Sequence, residues 1–193
     1  TRIPIAGSHP YWEFVFGVGR TWQEPGDGEW TRAALPFSLM EANANCLHHG
    51  VLTFVFAPAR RISQVAYQVS SETCAYFKAD LWGFLQADLL GVTLPDVGRV
   101  VDARRTELSG RLPRRPLAQL AVDHPGSTPA EFGHPAEVTP SQMSTWGVIV
   151  DGVHYSGGCP TRAGEYPFCD ELVLPSYSVA KSIFGSLGLM RLE

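Results

Sequence analysis

The sequence predicts an α+β protein whose N-terminal part is an antiparallel, β-rich domain. Its N-terminal half carries several short runs rich in β-branched and aromatic residues, separated by turn-forming clusters. Near the C-terminus an Asp-Gly pair joins two further β-prone runs, and an apolar stretch with helical spacing follows. We therefore predict a β-rich accessory domain over residues 1–92, a Pro/Arg-rich connection over 93–140, and a β-hairpin with a helix over 141–193.

Composition and charge narrow the possible functions. The chain has 193 residues, of which 45% are hydrophobic and 18% charged, as expected of a soluble globular protein. The formal net charge of −4 argues against nucleic acid as the main partner, because such partners favour a basic surface. No run approaches the roughly 18 apolar residues of a membrane-spanning helix, so we expect no membrane span. The chain begins with Thr1 rather than Met, which suggests a processed product.

Short β-prone runs fill the first predicted domain. EFVFGVGRTW, VLTFVFA and QVAYQVS, with turn clusters between them, favour a sandwich or barrel-like arrangement. The apolar positions of residues 74–90 fit either a strand or a helix. Adjacent histidines on a strand would point to opposite faces and could not share a metal. We therefore expect His48 and His49 to be exposed or to cap a turn.

The connection over residues 93–140 is rich in proline and arginine and has little sustained periodicity. This is typical of a segment that runs over a protein surface. It has room for a short strand near Arg99–Ala103 and a short helical piece near Pro116–Ala121. Acidic residues are interspersed among its arginines, which favours a solvated face over a site for an anionic ligand.

The C-terminal part begins with a hairpin signature and ends in an apolar helix. The runs Trp146–Val150 and Val153–Ser156 are joined by the Asp-Gly pair that tight type I′ turns favour. Pro175 limits the helix to starting after it, and Ser176 is a suitable N-cap. The apolar side chains of this helix project on almost all of its sides, which predicts a buried position. The main apolar stripe consists of Val179, Ile183, Leu187 and Met190.

The four cysteines suggest two disulfides. None of them forms a C-x-x-C pair, so a zinc site is not expected. Cys159 and Cys169 flank a loop that a disulfide could close, and Cys46 and Cys74 lie at the ends of a segment that resembles paired strands. Two disulfides would place the protein in an oxidising compartment. The alternative is four small buried thiols in a cytoplasmic protein.

Ser178 and Lys181 are the candidate catalytic residues. Positions three apart on a helix share a face, with Cβ atoms about 5–6 Å apart. A serine hydroxyl becomes nucleophilic when a base takes its proton, and a lysine can be that base only when it is neutral. An apolar helix and the positive end of its dipole both disfavour the charged ammonium. The N–H groups of the first turn, that of Ser178 among them, could form an oxyanion hole.

The order of hairpin, loop and helix opening with S-x-x-K resembles the serine β-lactamase and penicillin-binding-protein superfamily. WGVIVDGVHYSGG followed by LPSYSVAKSIFGSLGLMRLE is most similar to the class C-type branch, which also includes esterases, D-amino-acid peptidases and amide hydrolases. The resemblance covers residues 143–193. It implies the opening hairpin and nucleophile helix of a β-lactamase-like domain, with Ser178 as the acylated nucleophile and Lys181 as its proton acceptor.

The family pattern also requires a Tyr-x-Asn or Ser-x-Asn element and a Lys-Thr-Gly or His-x-Gly strand downstream of the nucleophile. Only twelve residues follow Lys181, and neither element is among them. We therefore expect this chain to be the N-terminal portion of the enzyme and inactive alone. The C-terminal remainder of the same protein is then a candidate second chain.

These observations predict a periplasmic or secreted serine hydrolase. It would form an acyl-enzyme on a small-molecule or peptide ester or amide, as β-lactamases, esterases and D-amino-acid peptidases do, and we expect no metal or organic cofactor. The alternative is a non-catalytic β-sandwich binding or accessory module in which the S-x-x-K match is coincidental or inactive. With fourteen serines and two lysines, a chance match has to be weighed.

Two other constellations are weaker. A triad of Ser178, His154 and either Asp151 or Asp170 is disfavoured, because a lysine already stands at the right spacing. N-terminal aromatics could line a carbohydrate-binding face, although aromatics at alternating strand positions are more often core. These aromatics are Tyr11, Trp12, Phe14, Phe16, Trp22 and Trp30.

Overall fold

The structure is a computed structural model that describes residues 3–192 except 6, 92–94, 128–129, 131–136 and 140–143. It is a mixed α+β chain dominated by antiparallel sheets, as predicted. The boundaries predicted between residues 92 and 93 and between 140 and 141 lie outside the described residues.

The N-terminal part forms one antiparallel sheet of eight strands. The strands are β1 (Ile3–Ile5), β2 (Trp12–Phe16), β3 (Arg20–Trp22), β4 (Thr31–Glu41), β5 (Leu47–Ala57), β6 (Arg61–Ile62), β7 (Val65–Thr73) and β8 (Leu81–Leu85). Their order is β1-β2-β4-β5-β7-β8, with β3 paired to β4 and β6 to β5. Of the ambiguous segment 74–90, β8 is the part that forms a strand. The Cys46–Cys74 disulfide joins the start of β5 to the end of β7.

His48 and His49 lie inside β5 and are 4% and 0% exposed, so the prediction of exposed or turn-capping histidines was wrong. The reason is that β5 starts directly after the disulfide-bonded Cys46 and is paired on both sides, with β4 and β7. His49 Nδ1 lies 3.3 Å from the Ser38 hydroxyl oxygen. The His48 ring packs edge-on against Trp12, with centroids 5.3 Å apart. The two rings belong to opposite faces of the sheet.

A second, smaller sheet follows. Its elements and those around it are α1 (Val97–Ser109), β9 (Arg114–Pro116), a 3₁₀ helix (Leu117–Gln119), α2 (Leu120–Asp123), β10 (Gly147–Val150) and β11 (Val153–Ser156). β10 and β11 form the predicted hairpin, whose turn residues Asp151 and Gly152 both have positive φ, as a type I′ turn requires. β9 pairs in parallel with β11. Leu117, Leu120 and Tyr155 form the core of this unit.

The two local predictions for residues 93–140 had different outcomes. The helical piece predicted near Pro116–Ala121 is confirmed by the 3₁₀ helix and α2. The short strand predicted near Arg99–Ala103 is wrong, because α1 occupies these residues. Charged side chains spaced by one helical turn, such as Arg105 and Asp102 at 2.8 Å, support the helix instead.

Residues 159–172, here called the cystine segment, connect the two sheets. They contain β12 (Pro160–Thr161), β13 (Gly164–Glu165) and a 3₁₀ helix (Cys169–Glu171), and the Cys159–Cys169 disulfide closes them. The hydroxyl of buried Tyr166 donates to the Gly50 carbonyl of β5 at 2.9 Å. Arg162 binds the buried carboxylate of Glu72 at 2.6 Å. Cys159, Tyr166 and Leu172 pack together with Val51, so the segment covers the Val51 face of the sheet.

The last helix, α3 (Val179–Met190), does not have the burial expected of it. None of its residues is buried, and Phe184 and Met190 are more than 70% exposed. The prediction of a buried helix is therefore wrong for the described part of the chain. The apolar spacing did mark a helix, but burial also requires a second element against it, and the described residues bury none of its side chains. The N-cap is Ser178, two residues later than Ser176.

Candidate functional site

Tyr177 fixes the start of α3. Its hydroxyl lies 2.9 Å from the carbonyl oxygen of Thr73 and 3.3 Å from that of Asn45, at the end of the sheet that carries the Cys46–Cys74 disulfide. Its backbone φ is 42°, in the left-handed region that is uncommon for a residue with a large side chain. This conformation turns the chain into the helix at the residue before Ser178. The sequence holds no signal for this role.

The structure brings Ser178 and Lys181 together. Ser178 occupies the N-cap of α3, Lys181 lies in the first turn, and Lys181 Nζ donates to Ser178 Oγ at 3.4 Å. Both side chains are exposed. The two side chains are therefore as close as helical spacing predicts, whereas the described residues do not provide the apolar surroundings expected for Lys181.

Several backbone N–H groups at this site already have hydrogen-bond acceptors. The N–H groups of residues 179–181 each donate to the carbonyl three residues earlier. They are therefore not free for an oxyanion, contrary to what the sequence suggested for the first turn. The N–H of Ser178 itself has no acceptor among the described residues. It is the donor that could face a developing oxyanion at the nucleophile.

A tyrosine near the base of α3 was not singled out by the sequence. The Tyr76 hydroxyl donates to the Glu41 carboxylate. This hydrogen bond is the main cause that raises the pKa of Tyr76 above its usual value, followed by burial, and the nearby Tyr177 adds to the shift. Tyr76 is therefore protonated at neutral pH and cannot serve as a general base. The ring of its neighbour Phe77 packs edge-on against it, with centroids 5.4 Å apart.

The alternative triad is not assembled. The Asp170 carboxylate binds Arg114, and Asp151 lies 3.9 Å from His124. Across the part of the chain that the structure describes, the hydrogen bond of the Ser178 side chain is the one with Lys181, and none joins it to His154.

The aromatics considered for a carbohydrate face do not form one flat platform. Phe14 and Phe16 stack at 5.6 Å on one face of β2, while Trp22 lies under Arg20 and Trp30 under Arg61. Tyr11 is half exposed and Trp12 packs on His48.

Arginines line a cavity of about 590 Å³ beside the cystine segment. Arg114 pairs with Asp170 there and also donates to the Ser156 hydroxyl at 2.9 Å. Arg115 binds Asp123 at 2.7 Å. Because both guanidinium groups are paired with carboxylates, this cavity has little unpaired positive charge to offer an anion. In the described ranges, no group of three or more His, Cys, Asp and Glu side chains is placed to hold a metal ion.

Comparisons of the chain with protein-family models, with curated proteins and with solved structures found no match. Two disulfides are formed, as favoured from the sequence, and they are compatible with an oxidising compartment. Within the described residues, no helix has the length and apolar character needed to cross a membrane.

Proposed function

We propose that this chain carries the nucleophile of a serine hydrolase that forms an acyl-enzyme on an ester or amide. The observation that supports this most directly is the 3.4 Å contact between Lys181 Nζ and Ser178 Oγ at the start of α3. A hydroxyl with an amine at this distance, next to a backbone N–H that has no acceptor within the described part of the chain, has the parts needed for acyl transfer.

The reaction follows from these positions. Neutral Lys181 takes the hydroxyl proton while Ser178 Oγ attacks the carbonyl carbon, and the Ser178 N–H donates to the resulting oxyanion. Collapse expels the alcohol or amine, which takes the proton from Lys181, and leaves an ester on Ser178. Water, deprotonated by Lys181, then attacks this ester. The bond from the carbonyl carbon to Ser178 Oγ breaks, Oγ takes the proton back from Lys181, and the acid is released. Substrates of the β-lactamase, esterase and D-amino-acid peptidase type all fit this sequence of steps.

We also propose that a further segment of the same protein completes the site. Both catalytic side chains are exposed, and α3 presents apolar residues such as Phe184 and Leu187 to solvent. A layer packed on α3 would bury these residues and exclude water from Lys181, which favours its neutral form. This layer would bring the missing Tyr-x-Asn and Lys-Thr-Gly elements. The two disulfides support a periplasmic or secreted protein.

A second candidate function is a non-catalytic binding module. The exposure of Ser178 and Lys181 favours it, because the described residues leave the pair open to water instead of enclosing it in a pocket.

Hydrolysis of p-nitrophenyl acetate by the complete gene product separates the two. We expect Ser178→Ala to abolish turnover above background, and Lys181→Met to lower kcat/KM by about 100-fold or more. Ser176→Ala, two residues away in the same turn, is the matched control and should keep its activity. If Ser178→Ala behaves like Ser176→Ala, the hydrolase proposal is contradicted and the binding module remains.

A further inference from the structure

An apolar groove crosses the face of the large sheet opposite the cystine segment. Successive strand residues point to opposite faces, so Leu52 lies on this face while its neighbour Val51 contacts the cystine segment. Two adjoining cavities of about 300 and 160 Å³ share Leu39 and Leu81 and together form the groove. Its walls include Trp12, Phe14, Leu39, Phe77 and Leu81, and His48 reaches into the larger cavity.

Two glycines give the groove its depth. A Cβ atom at Gly50 would lie 2.4 Å from the Phe37 ring, and one at Gly83 would lie 3.0 Å from the Tyr67 hydroxyl oxygen. Because both positions lack a side chain, the two rings lie close against the sheet. The groove is therefore a feature of the folded backbone, present before any ligand arrives.

His48 is a buried polar side chain in the larger of the two cavities. It is 4% exposed, it lines the larger cavity, and its Nδ1 has no hydrogen-bond partner among the described residues. Buried ring nitrogens are normally paired, because a buried donor or acceptor without a partner is costly. This nitrogen is itself closed to solvent, so a ligand in the larger cavity would pair with the part of the ring that lines that cavity.

The charges around His48 indicate which kind of ligand group would pair with it. Burial lowers the pKa of His48, and Glu72 and Glu41 oppose this only in part, so the ring is neutral at pH 7. The same two carboxylates lie near the polar end of the groove, together with one guanidinium, that of Arg162. This balance disfavours an anionic headgroup, and the neutral ring offers a hydrogen bond without a charge.

We propose that the groove binds a small uncharged molecule with an apolar body and one hydroxyl or carbonyl group, which pairs with His48. The apolar body lies along Leu39 and Leu81 and extends into the smaller cavity. This site is separate from the Ser178–Lys181 pair and does not depend on acyl transfer there.

Displacement of a fluorescent probe tests the ligand class. N-phenylnaphthylamine is uncharged and fluoresces in apolar sites, so we expect its emission to rise when it binds the protein. Decanol should displace it, and decanoate at pH 8 should need about tenfold higher concentration because of the nearby carboxylates. Failure of decanol to displace the probe would overturn the proposal. Equal potency of decanoate would overturn the uncharged headgroup.

Adjacent positions on the edge strand β8 provide a matched pair of variants. Leu81 points into the groove and is 40% exposed, while Trp82 points to the other face and is 71% exposed, so arginine at either position should permit folding. We expect Leu81→Arg to abolish probe binding and Trp82→Arg to leave it unchanged. His48→Leu should keep probe binding and weaken decanol about fivefold.

Equal loss of binding in both arginine variants would contradict the location. A dimer that dissociates on Leu81→Arg, in the absence of any decanol binding, would make the groove an interface between two copies and would also overturn the proposal.

Discussion

The strand segment around His49 and the helix α3 are surrounded in opposite ways. His49 has a polar ring and is fully buried, because β5 is paired on both sides and the sheet around it is covered. The residues of α3 are mostly apolar, and none of them is buried. Burial in this protein is therefore decided by how many neighbouring elements the topology provides, and less by the polarity of the segment itself.

The same contrast applies to the candidate catalytic residues. Ser178 and Lys181 belong to the exposed helix, whose start is connected to the sheet through the Tyr177 hydroxyl. Their spacing is set by the helix alone, whereas the environment that would make Lys181 a base has to come from another layer of protein.

The largest expected difference in the free energy of unfolding is between alanine substitutions at two phenylalanines. Phe37 in β4 is 3% exposed and Phe184 in α3 is 74% exposed. We expect Phe37→Ala to lower the free energy of unfolding by about 3–5 kcal/mol, and Phe184→Ala to change it by less than about 0.5 kcal/mol. Urea denaturation of the 193-residue chain alone, followed by tryptophan fluorescence, compares the two. A large loss for Phe184→Ala would mean that α3 is packed against another element, and the contrast would not hold.

The buried histidine predicts a specific pH dependence. Burial, with a smaller contribution from His48, lowers the pKa of His49 from 6.5 to about 4. Between these values the unfolded chain binds a proton at His49 that the folded chain does not. This contribution therefore makes the free energy of unfolding fall by about 3 kcal/mol as the pH drops from 7 to 4.

Denaturation curves across this range should show a flatter pH profile for His49→Gln, which keeps a hydrogen-bonding group and cannot titrate. If the variant and the original protein have parallel profiles, His49 is hydrated or exposed in solution.

A pair of glycines gives the smallest effect. A Cβ at Gly50 would meet the Phe37 ring at 2.4 Å and the Gln68 carbonyl oxygen at 2.6 Å, so Gly50→Ala should cost about 1–3 kcal/mol of stability. A Cβ at Gly185 in α3 would have nothing within 4 Å. Gly185→Ala should therefore favour the helix by up to about 1 kcal/mol, visible as increased helical circular dichroism. A destabilised Gly185→Ala variant would again indicate a hidden neighbour of α3.

Much of the local structure could be predicted from the sequence. The Asp-Gly hairpin, the helical piece near Pro116–Ala121 and the Cys159–Cys169 disulfide follow from residues that lie close together in the sequence. The Cys46–Cys74 disulfide was favoured because these cysteines lie at the ends of a segment that resembles paired strands. The predictions were wrong where residues distant in the sequence determine the secondary structure or the burial of a segment. His48 and His49 follow a turn-like stretch, but they lie in β5, a strand that is paired on both sides. The residues near Arg99–Ala103, which we expected to form a short strand, belong to α1.

The candidate site likewise combines features that the sequence predicts with features that it does not. The proximity of Ser178 and Lys181 follows from helical spacing, and the structure shows it. The anchoring of α3 by Tyr177 depends on contacts with Asn45 and Thr73, more than a hundred residues earlier, which no local pattern encodes. The groove around His48 depends on register across several strands for the same reason.

Covalent labelling of the complete gene product with a fluorophosphonate, followed by intact-mass measurement and peptide mapping, tests whether Ser178 is the nucleophile. We expect a single adduct on Ser178 that is lost in Ser178→Ala and forms much more slowly in Lys181→Met. An unmodified protein, or an adduct on a different residue, would contradict the assignment of Ser178 as the nucleophile.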